Sequence, residues 1–268
     1  MQAQMNRFIV AIALQSLALS GMAQAPEPPS AEQQLLKLLN LERQKLGVPA
    51  LQWDAKVAEA AQGHSQRLAS HRALSHQFAG EPELTYRLGA TGARFSAVAE
   101  NIAVADDPEE AHLALMNSPG HRANILNPEY NAVGIATAKV DKQLYVTEDF
   151  AHVVPAYSDA EFREGVVAAF NRLRRAHHMG PIDSHSDSRL DREACTRTMD
   201  SQWVLQDMNY ATRATIFTAV EPNDLPSTMD RAASDIGLHR MNIGVCFRKD
   251  PSNQLSRFWV IAAFYQTR

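Results

Sequence analysis

"LMNSPGHRANILNPEYNAVGI", residues 115–135, decides how this chain is read. A short apolar run ends at Asn117, Pro119 and Gly120 break it, and His121 follows at once. The Pro-Gly turn frees backbone for a helix N-terminus. "NPEYNAVGI" then returns the chain to a β-rich segment. A histidine in that place is either an ordinary helix-start residue or one wall of a site.

Working outward, residues 132–140 and 143–151 are β-rich runs separated by Asp141-Lys142, the pattern of an antiparallel hairpin. On the other side, residues 108–116 predict a short helix. Residues 73–105 read as loop with one short strand or helix turn, punctuated by Pro82, Gly89 and Gly92. Two helices precede them. Ser30 and Gln33 offer a capping box ahead of Leu35, Leu36, Leu38 and Leu39, and Gly47 is the stop. Asp54 caps the second, where Val57, Ala60, Ala61, His64, Leu68 and His71 recur at helical spacing. His64 and His71 read there as partly buried helix residues. Helices, long loop, helix and then strands suit an antiparallel sheet packed against helices, an α+β class.

At 268 residues the chain is long enough for one large domain or two modest ones. A net charge of −4 gives no global basic footprint and speaks against nucleic acid as a partner. Residues 1–25 differ in kind. Arg7 is their only charge, an apolar run follows it, and Ala23-Gln24-Ala25 fits a small-residue cleavage site. That layout predicts a signal peptide over 1–25, with export to a periplasmic or extracellular place and no transmembrane span in the mature chain.

Near residue 158, where Ser158 and Glu161 offer a second capping box, the pattern starts again. "VVAAFNRLRRAHHMGPI", 166–182, echoes "QLLKLLNLERQKLGVPAL", 34–51, with Asn171 and Arg174 in the places of Asn40 and Arg43. "SDSRLDREAC" echoes "WDAKVAEAAQ", and "NIGVCF" echoes "AVGIAT". "FWVIAAF" echoes "LYVTEDF", and four ordered echoes predict a tandem duplication. The second copy is shorter, with 73 positions between Asn171 and Gly244 where the first has 94 between Asn40 and Gly134. It has no counterpart to "LSHQF", "AENIA" or "SPGHR". Cys195 and Cys246, the only cysteines, fall on its second helix and first late strand, and in an exported protein they predict a disulfide.

"NLERQKLGVPALQWDAKVAEAA", "LSH", "AENIA", "MNSPGHRANILNP" and "AVGIA…LYVTEDFA", in that order, resemble the bacterial branch of the CAP superfamily. This superfamily groups cysteine-rich secretory, antigen 5 and pathogenesis-related proteins, and its domain is also called SCP. The resemblance implies an α-β-α sandwich over 31–152, followed by a shortened, degenerate CAP-like domain over 158–268. The family cleft typically carries two histidines and two acidic residues. Carried over, His76 of "LSH" and His121 of "PGHR" match the histidines and Glu100 of "AENIA" matches one acid. The second acid falls about at Ser118, a departure from the animal and plant pattern.

Two imidazoles and one carboxylate suit zinc or another divalent metal, which makes His76, His121 and Glu100 the expected metal set. With Ser118 they form the expected ligand-binding wall for a small, lipid or peptide ligand. Two alternatives stand beside this reading. One is a hydrolase with Ser118 as nucleophile, His121 as base and Glu100 as orienter, although no G-x-S-x-G or H-E-x-x-H accompanies them. The other is an envelope interaction protein with a vestigial cleft. Residue types alone leave enzymatic activity undecided.

Overall fold

Leu35 and Leu39 are fully buried, and the helix that carries them, α1 (Ser30–Lys45), begins the described structure. The structure is a computed structural model and describes residues 30–196, 201–208, 210–250 and 252–266. The expected signal peptide and the Ser30 side chain lie outside the described residues.

After α1 come β1 (Gln52–Trp53), α2 (Ala55–His71), α3 (Leu84–Ala90), β2 (Phe95–Ala105), α4 (Pro108–Asn117), α5 (Pro119–Leu126), β3 (Ala132–Val140) and β4 (Gln143–Val153). The strands form one sheet in the order β1-β3-β4-β2, with β1 parallel to β3 and the other pairs antiparallel. Asp54 caps α2 as its position predicts, accepting from the Lys56 and Val57 N–H groups. Asp141, at φ 56°, turns the β3–β4 hairpin.

Alternation along β3 assigns the layers. Val133 and Ile135 face a core built with Leu35, Leu39, Leu115 and Ile125, so α1, α4 and α5 cover that side. Gly134 faces α2, where a side chain would overlap the backbone of Val57 and Ala58. Helices thus cover both faces of the sheet, an α-β-α sandwich. Arg43 ties the layers at one end. It is fully buried, and its guanidinium donates to the carbonyls of Pro49, Ile125, Asn127 and Tyr130 at 2.7–3.1 Å. The bonds to Ile125 and Asn127 satisfy carbonyls at the C-terminal end of α5.

One stretch departs from the sequence reading. Residues 73–105, expected as loop with a single short element, contain both α3 and the eleven-residue β2. β2 escapes the alternation test because its middle is Glu100-Asn101, two adjacent polar residues that are both buried.

The C-terminal half runs α6 (Asp159–Ala176), β5 (Asp183–Ser186), α7 (Ser188–Thr196), α8 (Ser201–Asp207), β6 (Arg213–Ala219), α9 (Ser227–Ala233), β7 (Leu238–Lys249) and β8 (Ser256–Gln266). Ser158 and Glu161 form the predicted capping box of α6. The sheet order is β5-β7-β8-β6, again with one parallel pair followed by two antiparallel ones. Phe162, Val166 and Phe170 of α6 fill one face together with Met229 of α9. Leu190 of α7 and Val204 of α8 fill the other. A disulfide joins Cys195 to Cys246, with 5.4 Å between their Cα atoms, and so ties α7 to β7.

Candidate functional site

The site begins on the inner face of α2. His64 is fully buried there, and a neutral or charged imidazole in that position needs a partner. Its Nδ1 lies 2.8 Å from Glu81 Oε1 and its Nε2 3.7 Å from Glu100 Oε2. Glu81 ends the loop after α2 and also accepts from the Phe78 N–H at 3.1 Å. Burial acts to raise its carboxyl, but the bonds from His64 and Phe78, with the Arg87 charge, hold it below the ordinary carboxylate range.

Arg87, on α3, lies between the two acids. It pairs with Glu100 Oε2, its Nη1 is 3.6 Å from Glu81, and the same nitrogen donates to the His76 carbonyl at 3.2 Å. Glu100 projects from β2 with its side chain only 4% exposed, and its other oxygen lies 2.8 Å from His76 Nδ1. His76 itself stands in the loop with 60% of its side chain in solvent. A buried carboxylate therefore orients an exposed imidazole and leaves its Nε2 facing outward.

His121 enters from α5, with Pro119 in the first turn of that helix. Asn101 holds the helix down: its amide donates to the His121 carbonyl at 3.1 Å and to Glu148 Oε2 at 3.2 Å. Asn124 donates to Asn101 Oδ1 at 2.9 Å. Burial, and then the nearby charge of His76, lower the His121 imidazole below its ordinary range, so it stays neutral further into acid.

Two further acids lie beneath. Asp149 pairs across the strands with Glu100, and Glu148 with Asn101, so the two point to opposite faces of β4. Burial, reinforced by the Glu100 charge and opposed in part by Arg87, pushes the Asp149 carboxyl well above its ordinary range. Burial alone pushes Glu148 up to about 7, with the Asn101 bond opposing it in part.

Residues 36–154 match the family described as CAP, the cysteine-rich secretory protein family. They are a CAP domain. The CAP domain is 36% identical over 113 residues to the uncharacterized protein YkwD of Bacillus subtilis (strain 168), covering 41% of this chain and 44% of that one. It is 35% identical over 123 residues to the uncharacterized membrane protein YlbC of the same organism, covering 45% and 34%. The crystal structure of an extracellular protein containing an SCP domain from Bacillus anthracis str. Ames is similar at 30% identity and a TM-score of 0.42, covering 48% of this chain and 45% of that one. The chain thus spans less than half the length of each of these relatives. Among the described residues no helix is long and apolar enough to cross a membrane.

Within the CAP domain the structure brings His76 and Glu100 into hydrogen-bond contact and sets His121 near them. The acid that completes the buried network is Glu81, five residues after His76, whereas Ser118 sits at the α4–α5 junction and makes no side-chain cap of α5. His64, read from sequence as a partly buried helix residue, is fully buried and bonds Glu81. The hydrolase alternative needs Glu100 to orient His121, and Glu100 is instead bonded to His76. "TED" inside the buried run of β4 was the visible signal for Glu148 and Asp149. Arg87 had none, since its partners come from α2's loop and β2.

Proposed function

We propose that the CAP domain of this exported protein holds a divalent cation, zinc first, at His76 Nε2 and His121, beside a small or extended ligand in the same cleft. The observation that carries the reading is the 2.8 Å bond between the exposed His76 imidazole and buried Glu100. Metal-binding histidines characteristically use their second nitrogen in this way, which fixes ring orientation and raises basicity. Both Glu100 oxygens are engaged, one by His76 and one by Arg87, so Glu100 serves as orienter and not as a direct ligand. Among the described residues no three His, Cys, Asp or Glu side chains converge as a ligand set. Two imidazoles therefore leave the remaining positions to water or to the ligand, as in open zinc sites. The cation would supply a Lewis-acidic anchor for a lipid or peptide oxygen. Around it, His121 stays neutral, Glu100 orients His76 and Arg87 holds Glu100.

We read residues 158–268 as a shortened copy of the CAP domain. Its sheet repeats the order and directions of the first. Asn171 Oδ1 accepts from the Ile182 N–H as Asn40 Oδ1 does from Leu51, and Arg174 Nε donates to Gly180 O as Arg43 Nε does to Pro49 O.

Isothermal titration with zinc tests the site. His76→Ala and His121→Ala should each remove most binding, because a two-histidine site has no ligand to spare. Glu100→Gln should weaken it by about 10- to 100-fold, the range for loss of an orienting partner. Affinity should fall as pH drops through the imidazole range, since only neutral imidazole binds metal. Equal affinities across the variants would sink the cation site and leave the envelope interaction reading in front.

A further inference from the structure

The β7–β8 hairpin of the C-terminal half ends against α3, the helix that carries Arg87. Lys249 Nζ donates to the Gly89 carbonyl at 3.3 Å, and Tyr86 Oη donates to the Ser252 carbonyl at 3.3 Å. A Cβ built on Gly89 would meet the Gln254 side chain at 3.1–3.3 Å, so the hairpin rests on α3 where the helix has no side chain. Leu255 packs into the cluster formed by Leu88, Phe95 and Val57 of the CAP domain. Nearby, the Arg94 guanidinium stacks 3.4 Å from the centre of the Phe247 ring, and the Val154 N–H donates to the Arg94 carbonyl at 2.9 Å.

The described residues of the hairpin tip bond to one another. Gln254 N donates to Asp250 O at 2.6 Å, and Asp250 Oδ1 accepts from both the N–H and the hydroxyl of Ser252. Gln254 holds a left-handed φ of 59°. α3 has only seven residues, and so short a helix depends on tertiary contacts such as these for its place.

We infer that the C-terminal half is a positioning clamp for the cleft. Lys249 and Gln254 hold α3, α3 holds Arg87, and Arg87 holds Glu100 and the His76 backbone in register. The inference rests on the cation reading only for its first readout. The copied half is then a brace whose contact with α3 sets how well His76 is aimed.

The test uses the whole protein with zinc as probe. Gly89→Val pushes Gln254 off α3, and Lys249→Met removes the bond to Gly89, neither touching a side chain of the cleft. Each should weaken zinc binding about tenfold, the lower end for loss of an outer-shell partner. Each should also displace the His76 imidazole cross-peak in a ¹H–¹³C spectrum at fixed pH. Gly89→Val combined with Arg87→Gln should bind no more weakly than Arg87→Gln alone, because both act through one guanidinium. If Arg87→Gln does not fold, Arg87→Lys takes its place in the cycle. Unchanged affinity in both hairpin variants overturns the clamp, and so does strict additivity with the Arg87 variant. If the wild-type protein binds no zinc, the cation reading fails and the cross-peak alone decides. Displaced by the hairpin variants, it upholds the clamp; unmoved, it overturns it.

Discussion

Glu148 shows at the scale of one residue what the buried site costs the fold. Its carboxyl is pushed by burial from an ordinary 4.5 up to about 7. Between those values the folded protein holds a proton that the unfolded chain has released, so stability falls as pH rises through the window and levels off above it. The full effect is about 3 kcal/mol at most. Asp149 is displaced in the same direction and adds to the slope. Glu81, held low, acts oppositely, and its contribution is lost as pH falls. Glu148→Gln keeps the shape and bears no charge at any pH. It should flatten the slope between pH 5 and 7 and leave the protein more stable than wild type at pH 8, as read by urea unfolding at stepped pH. A slope as steep as wild type would assign the effect to Asp149 instead. His64 belongs to the same scale: helical spacing placed it on the inner face of α2, but not against Glu81.

Elements impose a tighter rule, because two backbones meet where a glycine stands. Gly134 of β3 lies against Val57 and Ala58 of α2, and Gly244 of β7 lies against Leu190 and Asp191 of α7. A methyl group at either position would overlap main-chain atoms, which unlike a side chain cannot rotate away. Gly134→Ala and Gly244→Ala should each cost about 2 kcal/mol or more, in the range for overpacked cores, seen as a lower urea midpoint with the slope unchanged. The α7–β7 contact also carries the disulfide, which closes a loop of sequence separation 51. Replacing both cysteines by serine should lower stability by up to about 4 kcal/mol through the freed unfolded chain. A reductant should reproduce that loss in thermal unfolding of the wild type and leave the double variant unmoved.

For the whole molecule, the two sheets share a register but not a chemistry. Aligned on Gly134 and Gly244, the positions of Glu100, Asn101, Glu148 and Asp149 are taken in the second sheet by Ile216, Phe217, Val260 and Ile261. A polar cluster that needs hydrogen bonds and holds raised carboxyls in one half is ordinary apolar core in the other. Between β6 and β7 the second half has α9 where the first has α4 and α5, so nothing stands in the place of His121. Two of its own histidines are engaged locally, His177 with Asp230 at 2.9 Å and His185 with Asp183 at 3.0 Å. Replacing His177, His178, His185 and His239 together should leave the zinc affinity of the CAP domain unchanged in the same titration. A large loss with folding intact would place the site in the wrong half.

What the sequence by itself determined was whatever local periodicity and ordered motifs encode. The helices of α1 and α2, the Asp54 cap, the Ser158–Glu161 box and the β3–β4 hairpin all follow from spacing and turn chemistry within a few residues. His76, Glu100 and His121 were legible because each lies in a motif whose order along the chain is specific. Only the tertiary structure decided what joins those motifs. Glu81, Arg87 and His64 come from three separate segments and meet only because α2, α3 and β2 pack together, a contact no single-segment pattern contains. β2 was lost to view because burying Glu100 and Asn101 for the site breaks the alternation by which a strand is recognised. The same packing sets the second half's hairpin on α3, where Gly89 leaves room for it.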